Sequence, residues 1–331
     1  MKAEITKSGA IKIGKYFSCD SHDPEREVRV VTHAHLDHII NLNLSLKESK
    51  AIIMTEATRD LLQVIYSKYR LDGKVSTLNY REPLKWKDEK ITLHYADHII
   101  GAAQVLVEDE EGNRIIYTGD FRLPKTPILD SDILVIEATY GKPTFKRPPI
   151  DIIRDALVRL VRRCLSMGAV YIFGFHGKLQ EAMELLRESG VTQPFIATPK
   201  VYQVTEVCRK HGMRVGEVLL KGSREAEEVM RTREYIMFQH ASTIKRIKVD
   251  AYKIHLTGWE FRKIVWRESE KEYRVALSDH ADFTQLLLYV ATSKPKLVIT
   301  DNYRVGYAEV LAREIEKRLG IKAIPMPQSS K

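Results

Sequence analysis

One short segment near the start of the chain constrains its fold and chemistry most: Val28-Arg-Val-Val-Thr-His-Ala-His-Leu-Asp-His38. The valine-rich half predicts a buried β-strand, and three histidines and an aspartate follow within six residues where that strand ends. Residues i and i+2 on extended backbone point to the same side, so His33 and His35 can hold one ion together. Asp37 and His38 can then aim at a second position. Imidazole and carboxylate ligands without thiolate suit zinc, with manganese as the other option. Unrelated surface histidines are the alternative, but their concentration at one strand end favours a metal site.

Three further residues stand in the order expected for a larger metal centre. They are Asp20 in Phe-Ser-Cys-Asp, His98 in Ala-Asp-His-Ile-Ile-Gly and Asp120 in Tyr-Thr-Gly-Asp-Phe. Together with His-Ala-His-Leu-Asp-His, this pattern resembles the HxHxDH signature of the metallo-β-lactamase superfamily. The resemblance implies that His98 completes the first metal's trio, that Asp120 bridges two metals, and that Asp20 braces the site. Two zinc ions are therefore the expected cofactors, with manganese possible.

Later motifs narrow the resemblance to the β-CASP nucleases of that superfamily. Glu137, in Val-Ile-Glu-Ala-Thr-Tyr-Gly, resembles motif A, and His280, in Leu-Ser-Asp-His-Ala-Asp-Phe, resembles motif B. The motif Ser-Asp-His-Ala-Asp is most similar to that of the ligase-associated DNA exonucleases, because RNA-cleaving members of the family usually have another residue at the position of Asp279. The resemblance covers essentially the whole chain.

The chain departs from the family at its motif C, where a histidine often follows the next strand. Asp301 stands at that place, in Thr-Asp-Asn-Tyr. Either Asp301 ligates the second metal or it is a strand-terminating turn residue, and the sequence leaves both open. Occupancy of the second metal position is therefore not settled by sequence.

The pattern of predicted strands and helices changes along the chain in a way that predicts an inserted domain. Short apolar strands with few helices fill residues 1–145, and a proline-rich connector precedes strict helix–strand alternation over 146–249. Strands and helices of the first type return over 250–331. By resemblance, the α/β fold is a metallo-β-lactamase αββα sandwich, formed by 1–145 and 250–331, with a β-CASP cap inserted at 146–249.

Charge is concentrated in the predicted insertion. Residues 146–249 hold 19 Lys and Arg against 11 Asp and Glu, whereas the rest of the chain holds 34 against 33. Such a local basic surplus is typical of nucleic-acid-binding proteins, although solvated helix faces rich in arginine are the plainer explanation. Candidates for phosphate or nucleic-acid contact are Gly177 and Lys178 at a predicted helix start, Arg262, Ser278 and Arg304.

Phosphodiester hydrolysis needs a nucleophile at neutral pH and a proton for the leaving oxygen. A divalent ion lowers the pKa of its bound water toward about 7, which supplies hydroxide. Asp37 or Asp120 could accept the water's proton. The resemblance implies that His280 acts as general acid or stabilises charge on phosphorus while Glu137 holds its ring; a structural salt bridge is the alternative for that pair.

We therefore expect a metal-dependent nuclease, with a DNA exonuclease of repair or processing favoured over an RNA-processing nuclease of the same family. A thioester or lactam hydrolase would not explain the basic insertion. A non-catalytic nucleic-acid-binding scaffold would be expected to have lost metal ligands. Three widely spaced cysteines and the lack of an apolar segment of about 20 residues fit a cytoplasmic protein without a membrane partner. The oligomeric state cannot be read from the sequence.

Overall fold

The computed structural model describes residues 1–71 and 73–328 and divides into two compact units. The first consists of Met1–Lys146 and His280–Lys331, and the second of Arg147–Asp279. None of the described helices combines the length and the apolar character needed to cross a bilayer.

The first unit contains two sheets. One sheet has six strands, which are hydrogen-bonded in chain order: Ala3–Ile5 (β1), Ile11–Ile13 (β2), Phe17–Cys19 (β3), Val28–Val30 (β4), Ala51–Met54 (β5) and Val75–Thr77 (β6). The other has seven: Pro83–Trp86 (β7), Glu89–Tyr95 (β8), Ala103–Asp109 (β9), Arg114–Tyr117 (β10), Ile133–Ile136 (β11), Leu297–Asp301 (β19) and Ala323–Met326 (β20). Its spatial order is β20-β19-β11-β10-β9-β8-β7.

The two sheets enclose one apolar core. Ile13, Phe17 and Val30 of the first sheet belong to the same buried cluster as Val105 and Val135 of the second. Strand β5 is buried at consecutive positions. Because successive side chains of a strand point to opposite faces of the sheet, both faces are covered at β5, as expected where helices pack on the outside of the sheet. The helices of this unit are Leu42–Glu48 (α1), Glu56–Ile65 (α2), Phe283–Ser293 (α7) and Ala308–Leu319 (α8). The predicted αββα sandwich is confirmed.

The second unit is an α/β domain around one sheet. Its strands are Val170–Gly174 (β12), Phe195–Ala197 (β13), Val218–Leu220 (β14), Ile236–His240 (β15), Tyr252–Leu256 (β16), Val265–Arg267 (β17) and Glu272–Val275 (β18). They follow the spatial order β14-β13-β15-β12-β16-β18-β17, parallel except for the β17–β18 pair. Four helices accompany them: Ile150–Leu165 (α3), Lys178–Glu188 (α4), Pro199–Lys210 (α5) and Arg224–Thr232 (α6). Buried side chains form a cluster on each face of this sheet.

The end of the insertion differs from the expectation. We expected the sandwich to resume at residue 250, but the second unit continues to Asp279. The reason is strand pairing: β16 pairs in parallel with β12, and β18 pairs with β16, so the segment from 250 onward extends the sheet of the insertion. This larger unit holds 24 Lys and Arg against 17 Asp and Glu and keeps most of the net positive charge.

Candidate metal centre

The candidate site lies within the first unit, where strands of both sheets end. Strand β8 is antiparallel to β9, which is antiparallel to β10, and β11 is parallel to β10. Strands β8, β10 and β11 therefore run in one direction, and the residues that follow them, His98, Asp120 and Glu137, emerge at one edge of the sheet. The segment after β4 supplies His33 and His35 and then forms a 3-10 turn over Leu36–His38.

Four of these side chains converge on one point. Ligand atoms of His33, His35, His98 and Asp120 all lie within 4.8 Å of one another. His98 Nε2 is 2.9 Å from His35 Nδ1, and Asp120 Oδ2 is 3.6 Å from His33 Nε2 and 3.8 Å from His98 Nε2. Zinc–ligand bonds of about 2.0–2.1 Å in a tetrahedron separate ligand atoms by about 3.4 Å. The observed separations bracket that value, so the four side chains fit a divalent ion.

A second group of donor atoms adjoins the first through Asp120. His38 Nε2 lies 3.2 Å from Asp120 Oδ2 and 3.6 Å from Asp37 Oδ2. The Nε2 atoms of His33 and His38 are both buried without a hydrogen-bond partner. Because a buried nitrogen without a partner is costly, these two atoms are suited to metal ligation. The structure thus brings together all six metal ligands expected from the His33–His38 segment, His98 and Asp120.

Asp20 orients the ring of His38 through a hydrogen bond to its Nδ1. It is fully buried; its Oδ2 lies 2.7 Å from His38 Nδ1 and accepts hydrogen bonds from Thr32 Oγ1 at 2.7 Å and Tyr117 Oη at 2.9 Å. Its Oδ1 accepts the amide of Thr32 at 2.8 Å. A carboxylate on Nδ1 directs Nε2 of the same imidazole toward a metal, which is the arrangement known from histidine ligands generally. The expected bracing position of Asp20 is therefore where the structure places it.

The electrostatics of the cluster favour a cation. Burial lowers the pKa of His33 well below its usual range, and the neighbouring histidines add to this effect. Burial also disfavours charge on His38, yet Asp120, Asp37 and Asp20 raise its pKa to about 10. Against its burial, Asp120 keeps a pKa well below its ordinary value because His38 and His280 surround it. The carboxylates outweigh the desolvation cost of positive charge at His38 but not at His33, so His33 stays a neutral imidazole, which is the form that binds a metal ion.

Glu137 and His280 form a hydrogen-bonded pair beside the metal ligands. His280 Nδ1 is 3.1 Å from Glu137 Oε2 and 3.8 Å from Asp120 Oδ2, and the ring centroids of His98 and His280 are 4.8 Å apart. The other carboxylate oxygen of Glu137 accepts the amide of Phe121 at 3.1 Å. Burial raises the pKa of Glu137 although His280 opposes that shift. The pair is therefore rigid, and its histidine faces the metal ligands.

Asp301 lies outside the metal-ligand cluster. Its Oδ1 accepts the amides of Tyr303 at 2.9 Å and Arg304 at 3.3 Å, and its Oδ2 accepts Arg304 Nη1 at 2.8 Å. Both oxygens are thus engaged within the turn that follows β19. Of the two alternatives for Asp301, this geometry favours the turn residue over the metal ligand. Arg304 likewise has its guanidinium on Asp301, and its side chain is only 8% exposed, which disfavours the expected phosphate contact.

The remaining candidates for phosphate contact belong to the second unit. Gly177 begins α4, but its amide donates to Gln180 Oε1 at 2.9 Å. Lys178 Nζ lies 3.2 Å from Asp279 Oδ1, and both side chains are buried. Ser278 is also buried, whereas Arg262 is exposed. Of these four, Arg262 has the exposed side chain that a phosphate contact requires.

Sequence reasoning missed three residues that support the site. They are Thr32 and Tyr117, which donate to Asp20, and Arg29, whose guanidinium is fully buried and donates to the carbonyl of His38 at 3.1 Å. The signal for Arg29 was present, since a charged residue between two buried valines must find partners inside the protein. Nothing in the local sequence distinguishes Tyr117 from other core aromatics.

Comparison with curated proteins finds relatives over all or part of the chain. An uncharacterized protein in the lig 3′ region of Acidianus ambivalens is 42% identical over 138 residues, which are 41% of this chain and 99% of that protein. A probable DNA ligase of Opitutus terrae is 27% identical over 92% of this chain and 29% of its own length. The probable RNase MJ4 of Methanocaldococcus jannaschii is 23% identical over 71% of this chain and 63% of its own length. The chain thus spans less than a third of the ligase and under two thirds of the RNase.

A solved structure shares the fold. The crystal structure of a protein of unknown function from Enterococcus faecalis V583 superposes with a TM-score of 0.62 at 14% identity, over 92% of this chain and 80% of that one. A search of protein-family models gave no match. The structural likeness extends over both units.

Proposed function

Since this chain belongs to the β-CASP nuclease family of the metallo-β-lactamase superfamily, we propose that it hydrolyses phosphodiester bonds of nucleic acid with the help of two divalent metal ions. Zinc is the proposed metal, with manganese as the alternative. The observation that carries the proposal is the convergence of two donor groups on Asp120 beside the Glu137–His280 pair. A scaffold protein without activity would have no need to preserve both features.

The residues that would hold the metals divide between the two positions. His33, His35, His98 and Asp120 surround the first, and Asp37, His38 and Asp120 surround the second. Bound divalent ions supply an activated water molecule and neutralise the charge of the phosphate. Asp37, with its carboxylate 58% exposed, is placed to accept the proton of the attacking water at Oδ1 or Oδ2.

The Glu137–His280 pair is suited to deliver the second proton. In the proposed mechanism, His280 Nδ1 donates to Glu137 and Nε2 is the nitrogen that serves the substrate. In the proposed reaction, water oxygen bonds to phosphorus, the bond from phosphorus to the leaving oxygen breaks, and that oxygen takes a proton from His280 Nε2. Glu137 keeps the ring oriented and stabilises its protonated form.

We favour DNA as the substrate and cleavage from an end, as an exonuclease in repair or processing. One relative, aligned over 92% of this chain, is named a probable DNA ligase, and the more similar Acidianus protein is named for the lig 3′ region. The Ser-Asp-His-Ala-Asp motif around His280 supports the same choice. RNA is the second candidate, favoured by several relatives that are named as RNases, among them the probable RNase of Methanocaldococcus jannaschii.

One assay separates these alternatives. Purified protein, stripped of metal and reconstituted with Zn²⁺ or Mn²⁺, is given single strands of DNA and RNA of identical sequence, labelled at one end and then at the other. We expect metal-dependent release of mononucleotides from DNA, faster than from the matched RNA. Faster cleavage of RNA would transfer the assignment to RNA processing, and internal fragments would identify an endonuclease. No cleavage of either strand with both metals bound would overturn the proposed function.

A further inference from the structure

Two buried arginines donate hydrogen bonds to consecutive backbone carbonyl groups of the metal-ligand loop, the segment 33–38 that follows β4. Arg304 Nη2 donates to the carbonyl oxygen of Asp37 at 3.2 Å, and Arg29 Nη2 donates to that of His38 at 3.1 Å. Arg29 Nη1 also donates to the carbonyl of Ile40 at 3.1 Å. The short turn that carries the ligands of the second metal position is therefore fixed through its backbone by two cations.

The two arginines come from different sheets. Arg29 lies in β4, directly before the loop, whereas Arg304 follows β19 of the other sheet. Arg29 is anchored further by Ser45, whose Oγ accepts from Nη1 at 3.2 Å. Arg304 thus joins the metal-ligand loop of one sheet to the end of a strand in the other.

Asp301 determines where the guanidinium of Arg304 points. Its Oδ2 is 2.8 Å from Arg304 Nη1, and its Oδ1 is fixed by the amides of Tyr303 and Arg304. The pair is almost fully buried, with side chains 2% and 8% exposed. A buried ion pair with this many hydrogen bonds has one well-defined geometry, so the Asp37 carbonyl meets a donor in a fixed position.

Asp37 needs such support more than the other ligands do. Its carboxylate is 58% exposed, whereas His33 and His38 are fully buried and have their Nδ1 atoms in hydrogen-bond contact with Thr32 and Asp20. The 3-10 turn Leu36–His38 that carries it is a single short turn. Because short 3-10 segments have weak hydrogen bonds of their own, an outside donor on the Asp37 carbonyl restricts the turn.

We propose that Arg304, oriented by Asp301, is a positioning residue that holds Asp37 for the second metal ion. This inference rests on the proposed two-metal function. It assigns new roles to both residues: Asp301 acts through Arg304 instead of ligating metal, and Arg304 acts on the loop instead of binding phosphate.

Metal binding tests the proposal without reference to cleavage. Zn²⁺ is titrated into the metal-free chain of 331 residues, and bound metal is counted by mass spectrometry. We expect the parent to bind two ions, and Arg304→Met to bind the first with unchanged affinity and the second at least tenfold more weakly. Arg304→Lys should also lose affinity for the second ion, because one ammonium cannot reach both Asp301 and the Asp37 carbonyl with the geometry of a guanidinium.

Asp301→Asn and Arg318→Met complete the set. Asp301→Asn keeps the shape of the side chain but removes its charge, so it should weaken the second ion less than Arg304→Met does. Arg318, on α8, pairs with Glu314 at the surface and serves as the matched control. If Arg304→Met does not fold, Arg304→Lys and Asp301→Asn decide the question.

Two outcomes would overturn the inference: a parent that binds one ion only, or Arg304 variants that bind both ions with the affinity of the parent. These outcomes are distinguishable from failure of the proposed function. A parent that binds two ions and cleaves no nucleic acid would refute the nuclease, whereas an active parent whose Arg304 variants keep the second ion would refute the positioning role.

Discussion

At the scale of single residues, the proposed mechanism takes a proton from His280 and assigns metal binding to other side chains. We expect His280→Ala to keep full metal content while its kcat falls by about 10²–10⁴-fold, the usual contribution of a general acid. Glu137→Gln, which keeps a hydrogen-bond acceptor for Nδ1, should lose less. Steady-state kinetics with metal analysis on both variants check this. Cleavage by His280→Ala at the rate of the parent would leave the pair with a structural role only.

Tyr117 tests whether the bracing of Asp20 matters for metal binding. Tyr117→Phe removes a buried hydrogen bond to a carboxylate, which should lower the free energy of unfolding by about 1.5–3 kcal/mol. Tyr289 is a matched control, because it is a buried tyrosine whose hydroxyl donates to Gln104 away from the metal ligands. We expect both variants to be less stable in urea, and only Tyr117→Phe to bind zinc more weakly. Equal zinc affinities would show that Asp20 does not need this donor.

Some residue roles could be predicted from sequence and others could not. The His33–His38 segment, His98, Asp120, Glu137 and His280 were found because each follows a strand or precedes a helix in a recognisable short motif. For Asp301 the sequence left a metal ligand and a turn residue open, and for Arg304 it predicted a phosphate contact, because their pairing depends on which backbone groups lie opposite them in the folded chain. Short sequence motifs identify candidate metal ligands. They do not identify the residues that hold those ligands in position.

At the scale of secondary-structure elements, the turn between β8 and β9 is a sensitive point. Gly101 has a φ of 83°, and a Cβ there would lie 2.7 Å from the amide nitrogen of Thr58 at the start of α2. Its carbonyl accepts both Thr55 Oγ1 and Thr58 Oγ1. An added methyl group would separate this turn, which also carries His98, from α2.

We therefore expect Gly101→Ala to destabilise the protein by more than about 2 kcal/mol, since it adds a steric conflict to the backbone strain. Gly112 has a similar φ of 79° with no atoms within 4 Å of the added Cβ, so Gly112→Ala should cost only the strain of about 1–2 kcal/mol. Urea denaturation of the two variants isolates the steric part. Equal losses at both positions would mean that α2 moves aside freely.

The first and last residues of some helices and strands could be predicted from the apolar periodicity of the sequence, whereas several short strands could not. The apolar pattern of the sequence predicts helices at Lys178–Glu188 and Phe283–Ser293 and strands at Ala51–Met54 and Phe195–Ala197, and these are the bounds of α4, α7, β5 and β13 in the structure. Strands β1, β6, β7, β17 and β20, with three or four residues each, were not predicted, because short segments whose positions are mostly exposed or half-buried give no readable alternation. Strand β16 was recognised as a strand but assigned to the sandwich, since alternation reports burial and not which neighbour a strand will pair with.

At the scale of the whole molecule, bound metal should raise the free energy of unfolding in addition to supporting the proposed hydrolysis. An ion that binds only the native state at a thousand times its Kd adds about 4 kcal/mol to the free energy of unfolding. For a unit of this size, that corresponds to a rise in Tm of about 10 °C. Calorimetry of chelator-treated protein before and after addition of Zn²⁺ measures the difference. An unchanged Tm would indicate that the cluster does not bind zinc in the native state.

The basic surplus of the second unit predicts salt-sensitive binding. If about four phosphates of a single strand are neutralised, the logarithm of the affinity should fall with the logarithm of salt concentration with a slope of about −3. The affinity would then drop roughly 50-fold between about 50 and about 200 mM salt. Fluorescence anisotropy with His280→Ala and a labelled oligonucleotide avoids cleavage during the measurement. A slope near zero would favour the simpler explanation that the charges only solvate helix faces.

The position of the second unit in the chain has a consequence for synthesis on the ribosome. Glu137 and His280 lie on either side of Arg147–Asp279, a stretch of 133 residues. Glu137 and His280 are themselves 143 residues apart, so at roughly 5–20 residues per second about 7–29 s separate translation of the two partners. During that interval a nascent chain lacks both His280 and Arg304, so on the proposed function it would leave the nucleic acid around it intact.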